Sequence, residues 1–435
     1  MLTSVQSTSG ALWKLRVTPV VHISFWVAAA FIGAGAVLYA RLIEITQRFF
    51  FGQFHAHPIA ISVSMPLFFL AAAALVVKLA PAAAGSGIPQ VLQAIGESKR
   101  DARKFESSGL VSLRTAAIKM SSMVLGILGG ASVGREGPTV QLSATAFAMI
   151  GRFTRRYVPQ ITMQSYLIAG AAGGIAAAFN TPVAGITFAL EEIAEDVFGQ
   201  FKQFVMVTII VAGISAQALA GDYLYFGRPK TAHLTLAIAP VVLAIGLVGG
   251  LGGGLFARLL AFPLFSFHKQ HWWQRALICG ALCGVLAWFS DGATAGSGYE
   301  ITREFMEGRT PSLPMYFAPA KLLATVLSYL SGMAGGIFAP CLSIGAGIGA
   351  TLGSFAGPEH LRACALFGMA AFFTGAVQAP LTAIIIVTEM TDEHALILPL
   401  MATALIANAT SKLVMPIPLY RYLSRPPPTE PRLPE

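Results

Sequence analysis

Two glutamates in apolar, glycine-rich parts of the chain are the residues with the most unusual chemistry. Glu136 lies in the segment Gly-Arg-Glu-Gly-Pro, and Glu192 ends a long apolar run. A carboxylate in such surroundings is expensive and usually functional. An ionised Glu136 could occupy an anion site and leave it on protonation, which would couple anion movement to protons. The alternatives are a structural ion pair with Arg135 for Glu136 and a solvated helix-end carboxylate for Glu192.

Three glycine- and proline-containing blocks could form the anion site itself. They occupy 85–89 (Gly-Ser-Gly-Ile-Pro), 134–138 and 336–340. Proline is favoured in the first helical turn, so each block fits a helix start. A helix N-terminus presents unpaired N–H groups and about half a positive charge, and glycine lets an anion approach the backbone. Three such termini could converge on one anion, with Ser86 adding a hydroxyl; the alternative is that the glycines only permit close helix packing.

These blocks belong to a repeat that relates the two halves of the chain. The matching blocks, in order, are 84–87 with 295–298, 134–138 with 336–340, and 170–191 with 368–389. Related halves whose apolar segments are interrupted by glycine and proline are typical of secondary transporters. In such proteins the binding site lies at the interface between the halves.

Some polar residues are duplicated by the repeat. Lys119 matches Lys321, and Glu191 matches Glu389. Duplication indicates a structural task common to both halves, such as a packing or hydrogen-bond anchor for the two acids. For the lysines, a shared structural or snorkelling role is the favoured interpretation, and a raised potential for an anion is the alternative.

Glu136 and Glu192 are not duplicated. Phe338 stands at the position that matches Glu136, and Met390 at the position that matches Glu192. An acid without a counterpart is the better candidate for a one-sided task such as gating or proton entry.

The composition indicates a membrane protein. Of 435 residues, 55% are hydrophobic and 11% are charged, whereas charged residues make up about a quarter of a soluble domain. The 44 glycines and 25 prolines indicate helices that are often broken. The net charge of +9 fits cationic loops on the inner side of a membrane better than nucleic-acid binding, since the basic residues are dispersed around apolar segments.

The sequence predicts one all-α integral membrane unit. Its parts are a cytoplasmic N-terminal segment 1–19, a membrane domain 20–424 with repeats at about 20–220 and 233–424, and a proline-rich tail 425–435. Several apolar segments are too short to cross about 30 Å of hydrocarbon, so half-crossing helices are expected. The stretches 164–192 and 363–390 are among the candidate membrane segments.

No cofactor, metal site or disulfide framework is predicted. The four cysteines lie in apolar or glycine-rich stretches, and His55 and His57 have no further ligands nearby. An intramembrane enzyme is disfavoured, because the apolar segments contain no Ser/His, paired-Asp or HExxH arrangement.

In this order and spacing, the three blocks resemble the anion-binding signatures of the CLC family of chloride channels and chloride/proton antiporters. The resemblance runs from about residue 20 to 424 and includes Phe179-Asn180 with Pro182, the pair Glu191-Glu192, and the stretch 389–392. It implies a CLC-type fold of two inverted-topology repeats with many tilted and half-crossing helices. It also implies a homodimer with one independent pathway per subunit.

The resemblance implies a set of anion ligands in this sequence. They are Ser86 and Gly87 of the first block, the backbone N–H groups of Ile337 and Phe338, and Tyr420 near the end of the domain. Tyr422 is a weaker alternative to Tyr420. Gln90 stands where many relatives have an acid, which leaves the anion site intact but alters the pairing beside it.

The resemblance also implies roles for the two unduplicated acids. Glu136 matches the gating glutamate, which serves as anion gate and proton carrier, and Glu192 matches the internal proton-transfer glutamate typical of antiporters. Ser86 favours chloride over nitrate, and the intact serine block argues against the fluoride-exporting branch.

The sequence therefore predicts a secondary active chloride/proton antiporter; the alternative is a passive voltage- or pH-gated chloride channel of the same fold. Chloride is the transported ligand, and the expected partners are chloride, protons, the lipid bilayer and a second copy of the chain. The short tail predicts that the paired regulatory domains of many eukaryotic members are missing. The expected location is a bacterial inner membrane, as a multi-pass protein with both termini cytoplasmic.

Overall fold

The computed structural model describes residues 5–155, 161–193, 198–221, 224–229, 231, 236–262, 270–310 and 312–425. Within these ranges the regular secondary structure is helical. The only extended pairing there consists of two isolated bridges between single residues. The all-α class predicted from the sequence is confirmed.

The α-helices of the first half are α1 Val5–Ala56, α2 Pro58–Leu79, α3 Ile88–Arg100, α4 Ala102–Ser108, α5 Leu113–Leu128, α6 Glu136–Thr154, α7 Met163–Phe179, α8 Pro182–Phe188 and α9 Phe198–Ala220. A π-helical turn, Ala189–Ile193, follows α8 directly. Those of the second half are α10 Ala239–Ala261, α11 Trp272–Phe289, α12 Tyr299–Met306, α13 Phe317–Leu330, α14 Phe338–Gly353, α15 Leu361–Val377, α16 Pro380–Thr391, α17 Ile397–Val414 and α18 Leu419–Leu423.

Helix length divides the fold into full and partial crossings. Seven helices in the described part of the chain are long and apolar enough to cross a membrane. Others are apolar but shorter: α14, with 16 residues, spans only about 24 Å at 1.5 Å per residue. The chain is therefore a multi-pass membrane protein that contains partial crossings.

The two halves use the same helix pairings. In the first half α1 packs on α9, α9 on α7 and α7 on α6; in the second half α10 packs on α17, α17 on α15 and α15 on α14. Contacts of α2 with α11 and of α8 with α16 join the halves. The sequence repeat therefore corresponds to a repeat in packing.

Glycines allow the helices of the second half to approach closely. A Cβ atom built on Gly249 of α10 would lie 2.6 Å from the Cβ of Ala371 in α15. One built on Gly253 would lie 2.5 Å from the carbonyl oxygen of Phe372. Because real Cβ atoms do not approach other atoms this closely, the packing interpretation holds for these glycines, which lie outside the three blocks.

The two long apolar stretches of the third repeat block are each broken in the middle. The residues that directly follow α7 and α15 are Asn180 (φ 59°) and Gln378 (φ 64°), both in the left-handed region. Pro182 and Pro380 then open α8 and α16, since proline fits the first helical turn and disfavours helical conformation in the residue before it. Each of these candidate membrane segments therefore contains two helices, a division that hydropathy does not register because the composition stays apolar across the break.

Candidate functional site

The three predicted helix starts converge through backbone hydrogen bonds. Gly134 and Gly336 exchange two such bonds of 2.7 and 2.8 Å, which joins the loops before α6 and α14. Gly85 donates its N–H to the carbonyl of Met333 (2.9 Å) and accepts from the N–H of Gly335 (3.0 Å), which joins the loop before α3 to the same place. The first turns of α3, α6 and α14 therefore meet inside the protein.

Glycine is required where α3 meets α6. A Cβ atom on Gly137, in the first turn of α6, would lie 2.6 Å from the carbonyl oxygen of Ser86 and would overlap its Oγ. Gly87, the N-cap residue of α3, has φ 104°, and a Cβ there would lie 2.9 Å from the carbonyl oxygen of Gly137. The first block thus places Ser86 directly against the turn that begins with Glu136.

Glu136 is the first residue of α6 and is fully buried. Its Oε2 accepts a hydrogen bond from the backbone N–H of Ala339, in the first turn of α14, at 3.4 Å. Its Oε1 accepts from the hydroxyl of Tyr225, also at 3.4 Å. The carboxylate therefore occupies the N-terminal end of α14, which favours negative charge.

Ile337 and Phe338 open α14 beside this carboxylate. Ile337 is the N-cap residue and Phe338 the first helical residue, and the first N–H groups of a helix have no partner within the helix. The Phe338 ring packs on Phe179 and Phe373, with ring centroids 4.8 and 4.2 Å apart. The side chain of Phe338 thus anchors the end of the helix at which these N–H groups lie.

Ser86 and Tyr420 place two buried hydroxyls at the same site. Ser86 is 1% exposed and Tyr420 is fully buried. The Tyr420 hydroxyl lies beside Ser86, but neither hydroxyl makes a hydrogen bond of standard geometry within the described residues. Tyr422 instead packs its ring on Phe262, with centroids 4.9 Å apart, so Tyr420 is the tyrosine at the site. Two buried O–H donors near three helix N-termini suit a small anion.

Glu192 lies on the π-helical turn Ala189–Ile193 and is 5% exposed. Its carboxyl group lies within electrostatic range of the Tyr420 hydroxyl. π-Helical turns occur frequently at functional sites. Ser86 lies against the first turn of α6, which begins with the buried Glu136, the Tyr420 hydroxyl lies beside Ser86, and Glu192 is a second buried carboxyl group.

The duplicated lysines hold the loops that precede α3 and α12. Lys119 donates from Nζ to the carbonyl of Gly85 at 2.8 Å. Lys321 donates to the three carbonyls of residues 294–296 at 2.9, 3.0 and 2.7 Å. Both side chains are fully buried, which excludes snorkelling and confirms a structural task shared by the two halves.

Gln90 also contacts the first block. Its Nε2 donates to the carbonyl of Ala84 at 2.6 Å. An ionised carboxylate cannot donate a hydrogen bond, so this contact depends on the amide of Gln90.

Sequence reasoning missed Tyr225. This tyrosine is 3% exposed and lies in the segment 224–229, between α9 and α10, yet its hydroxyl reaches Glu136. A cavity of about 250 Å³ is lined by both residues. The cavity is also lined by charged side chains of α1 and α12, namely Arg41, Glu44, Glu300 and Arg303. Tyr225 lies outside the repeated blocks, so no sequence pattern pointed to it.

Fold and site together define a multi-pass membrane protein of the CLC fold. A solved structure described as a slow cyanobacterial Cl⁻/H⁺ antiporter is similar with TM-score 0.79 and 23% identity, over 94% of this chain and 98% of that one. A CLC-type fluoride/proton antiporter is similar with TM-score 0.74 and 25% identity, over 92% and 97%. A eukaryotic CLC transporter is similar with TM-score 0.73 and 19% identity, over 92% of this chain and 74% of that one. The predicted CLC-type fold of two inverted-topology repeats is confirmed.

The family assignment follows from the sequence match as well. The family model described as voltage gated chloride channel matches residues 67–412, and the chain belongs to this family, the CLC family. The members of this family are ion-transport proteins rather than enzymes.

Proposed function

We propose that this protein is a secondary active chloride/proton antiporter. The observation that carries the proposal is the buried Glu136 carboxylate at the N-terminal end of α14, next to the block that holds Ser86. The buried hydroxyls of Ser86 and Tyr420 suit an anion, and Glu192 adds a second buried carboxyl group. One arrangement can therefore handle both an anion and a proton.

Glu136 serves as the gate. When ionised, its carboxylate binds the N-terminal end of α14 through the N–H of Ala339 and competes with chloride for the same positive helix end. Protonation removes the negative charge and weakens this attachment, so the side chain leaves and chloride enters. Because Glu136 must lose its proton before it returns, each opening carries a proton as well as admitting an anion.

Glu192 passes protons to and from the side opposite to the Glu136 cavity. It is buried near Tyr420, and no acid matches it in the second half of the chain. A passive channel needs an anion path and a gate, but it needs no second buried acid. The presence of Glu192 therefore favours coupled exchange over the passive voltage- or pH-gated channel.

Chloride is the proposed anion. Ser86 and Tyr420 supply hydroxyl donors, and the serine block Gly-Ser-Gly-Ile-Pro is intact, which by resemblance separates this chain from the fluoride-exporting branch. A cyanobacterial Cl⁻/H⁺ antiporter has a similar fold, which supports this proposal. No cofactor takes part, and no enzymatic activity is proposed.

We infer that the protein is a homodimer in a bacterial inner membrane, with both termini in the cytoplasm. The ligands Ser86, Phe338 and Tyr420 and both acids come from one chain, so each subunit contains a pathway of its own. Lys14 and Arg16 precede the first apolar run, which supports a cytoplasmic N-terminus.

Proton uptake by chloride-loaded liposomes tests the proposal. An outward chloride gradient should drive protons inward against their own gradient in the wild type. Glu136→Ala should move chloride independently of pH and carry no protons, and Glu192→Ala should keep chloride flux and lose most proton uptake. Glu359→Gln, a change at an exposed surface carboxylate, is the matched control and should behave as the wild type. A wild type that reverses at the chloride equilibrium potential and takes up no protons would instead be the passive channel.

A further inference from the structure

The Tyr225 hydroxyl is the side-chain partner of the Glu136 carboxylate. It donates to Oε1 at 3.4 Å, while the backbone N–H of Ala339 donates to Oε2 at 3.4 Å. One carboxylate oxygen is therefore held by the helix end that an anion would use, and the other is held by a tyrosine from a separate segment.

Packing from several directions fixes the position of this hydroxyl. The Tyr225 ring contacts Tyr299, Phe226 and Phe179, with centroids 4.6, 5.0 and 5.5 Å away, and the Arg135 guanidinium at 5.9 Å. The next residue, Phe226, donates its backbone N–H to the carbonyl of Met390 at 3.2 Å, which ties the segment to α16. Since the ring is held on these sides, the hydroxyl is pre-positioned for the carboxylate.

Tyr225 also lines the 250 Å³ cavity that Glu136 borders. A carboxyl group that leaves α14 through this cavity must break its hydrogen bond to Tyr225 or rotate around it. The tyrosine therefore stands at the place where movement of the gate would begin.

We propose that Tyr225 is a positioning residue that holds the ionised Glu136 carboxylate at the N-terminus of α14 and sets the pH range over which the gate opens. The proposal rests on the gating role proposed for Glu136. A hydrogen bond to an ionised carboxylate is stronger than one to the neutral acid. Tyr225 therefore stabilises the closed, ionised gate more than the open, protonated gate.

Other charged and titratable groups face Glu136 and stay in place when the Tyr225 hydroxyl is removed. They are Arg135 at the start of α6, Tyr39, Arg41 and Glu44 on α1, and Tyr299, Glu300 and Arg303 on α12. Tyr39 donates its own hydroxyl to Met123 Sδ at 2.8 Å. Replacing Tyr225 by phenylalanine removes a single oxygen and leaves this set unchanged.

The test is the pH dependence of chloride flux in liposomes, measured with a chloride electrode between pH 4 and pH 8. Tyr225→Phe keeps the ring but weakens the closed state. We expect its half-activating pH to lie about 0.5 to 1 unit above that of the wild type, with proton coupling retained. Tyr166→Phe is the matched control, because the Tyr166 hydroxyl is hydrogen-bonded to Thr154 at 2.6 Å, at the opposite end of α6 from Glu136. This control should follow the wild-type profile.

A Tyr225→Phe profile that coincides with the wild type, or a Tyr166→Phe profile that shifts equally, would overturn the positioning role. The same substitution in a Glu136→Gln background should have no further effect if Tyr225 acts through Glu136. If Glu136 were not the gate, the result would be different, because Glu136→Gln alone would keep the wild-type pH dependence. The two proposals can therefore fail separately.

Discussion

Glu191 caps the N-terminus of α16, and Glu389, which lies on α16, caps the N-terminus of α8, so the two contacts join the halves of the protein reciprocally. The donors are the backbone N–H groups of Leu381 and Thr382 for Glu191, at 2.9 and 2.7 Å, and those of Val183 and Ala184 for Glu389, at 3.0 and 2.7 Å. Each carboxylate thus binds the first turn of a short helix that belongs to the other half of the chain. This arrangement confirms the hydrogen-bond anchor predicted for the duplicated acids, and it fixes the π-helical turn that carries Glu192.

Removing either anchor should weaken the fold. We expect Glu191→Ala and Glu389→Ala each to lower the free energy of unfolding by about 1.5 to 3 kcal/mol, because each leaves helix N–H groups without a charged acceptor. Thermal unfolding of the purified protein in detergent measures the loss. Glu359→Ala, at an exposed carboxylate, is the control. If the anchor variants had the same melting temperature as this control, the two caps would contribute nothing to stability.

The contact between α3 and α6 gives a second prediction. A methyl group on Gly137 would overlap Ser86, so Gly137→Ala should push the first block away from α6. We expect chloride affinity, measured by titration calorimetry, to fall about tenfold or more, since overpacking of this kind costs about 1 to 3 kcal/mol.

Gly96→Ala is the matched control for this experiment. Gly96 lies in α3, and a Cβ there meets nothing within 4 Å, while alanine favours a helix over glycine. The control should bind chloride as the wild type does. Wild-type affinity in Gly137→Ala would mean that the close approach of Ser86 to α6 is not needed for the anion site.

The sequence predicted the parts of the site that depend on local rules. Proline at 89, 138 and 340, in blocks that begin with glycine, predicted helix starts because these residue types have strong positional preferences, and the structure places α3, α6 and α14 at these blocks. Comparison of the two repeats distinguished Glu136 from the duplicated, structural acids, because duplication can be read directly from the sequence.

The parts that sequence reasoning missed depend on contacts between distant positions. Tyr225 and Glu136 are 89 residues apart, and Leu381, the partner that was not predicted for the Glu191 anchor, lies 190 residues from it. A hydropathy profile cannot detect such pairs, because it averages over residues that are adjacent in the sequence. For the same reason it missed the breaks at Asn180 and Gln378, where backbone conformation changes and composition does not.

The two buried lysines give a third prediction, because their hydrogen bonds differ in number. Lys321 supplies the three carbonyls of residues 294–296. Lys119 supplies only the carbonyl of Gly85, which also accepts the N–H of Gly335 at 3.0 Å. Lys119→Met therefore leaves its acceptor with a remaining partner, whereas Lys321→Met removes the donor shared by three buried acceptors.

An unsatisfied buried polar group costs about 1 to 3 kcal/mol. We therefore expect Lys321→Met to lower the melting temperature in detergent clearly more than Lys119→Met does. The two substitutions remove the same charge from equally buried positions of the repeat, so each serves as the control for the other. Equal losses would show that burial of the charge, rather than the number of carbonyls it serves, decides the contribution of these lysines to stability.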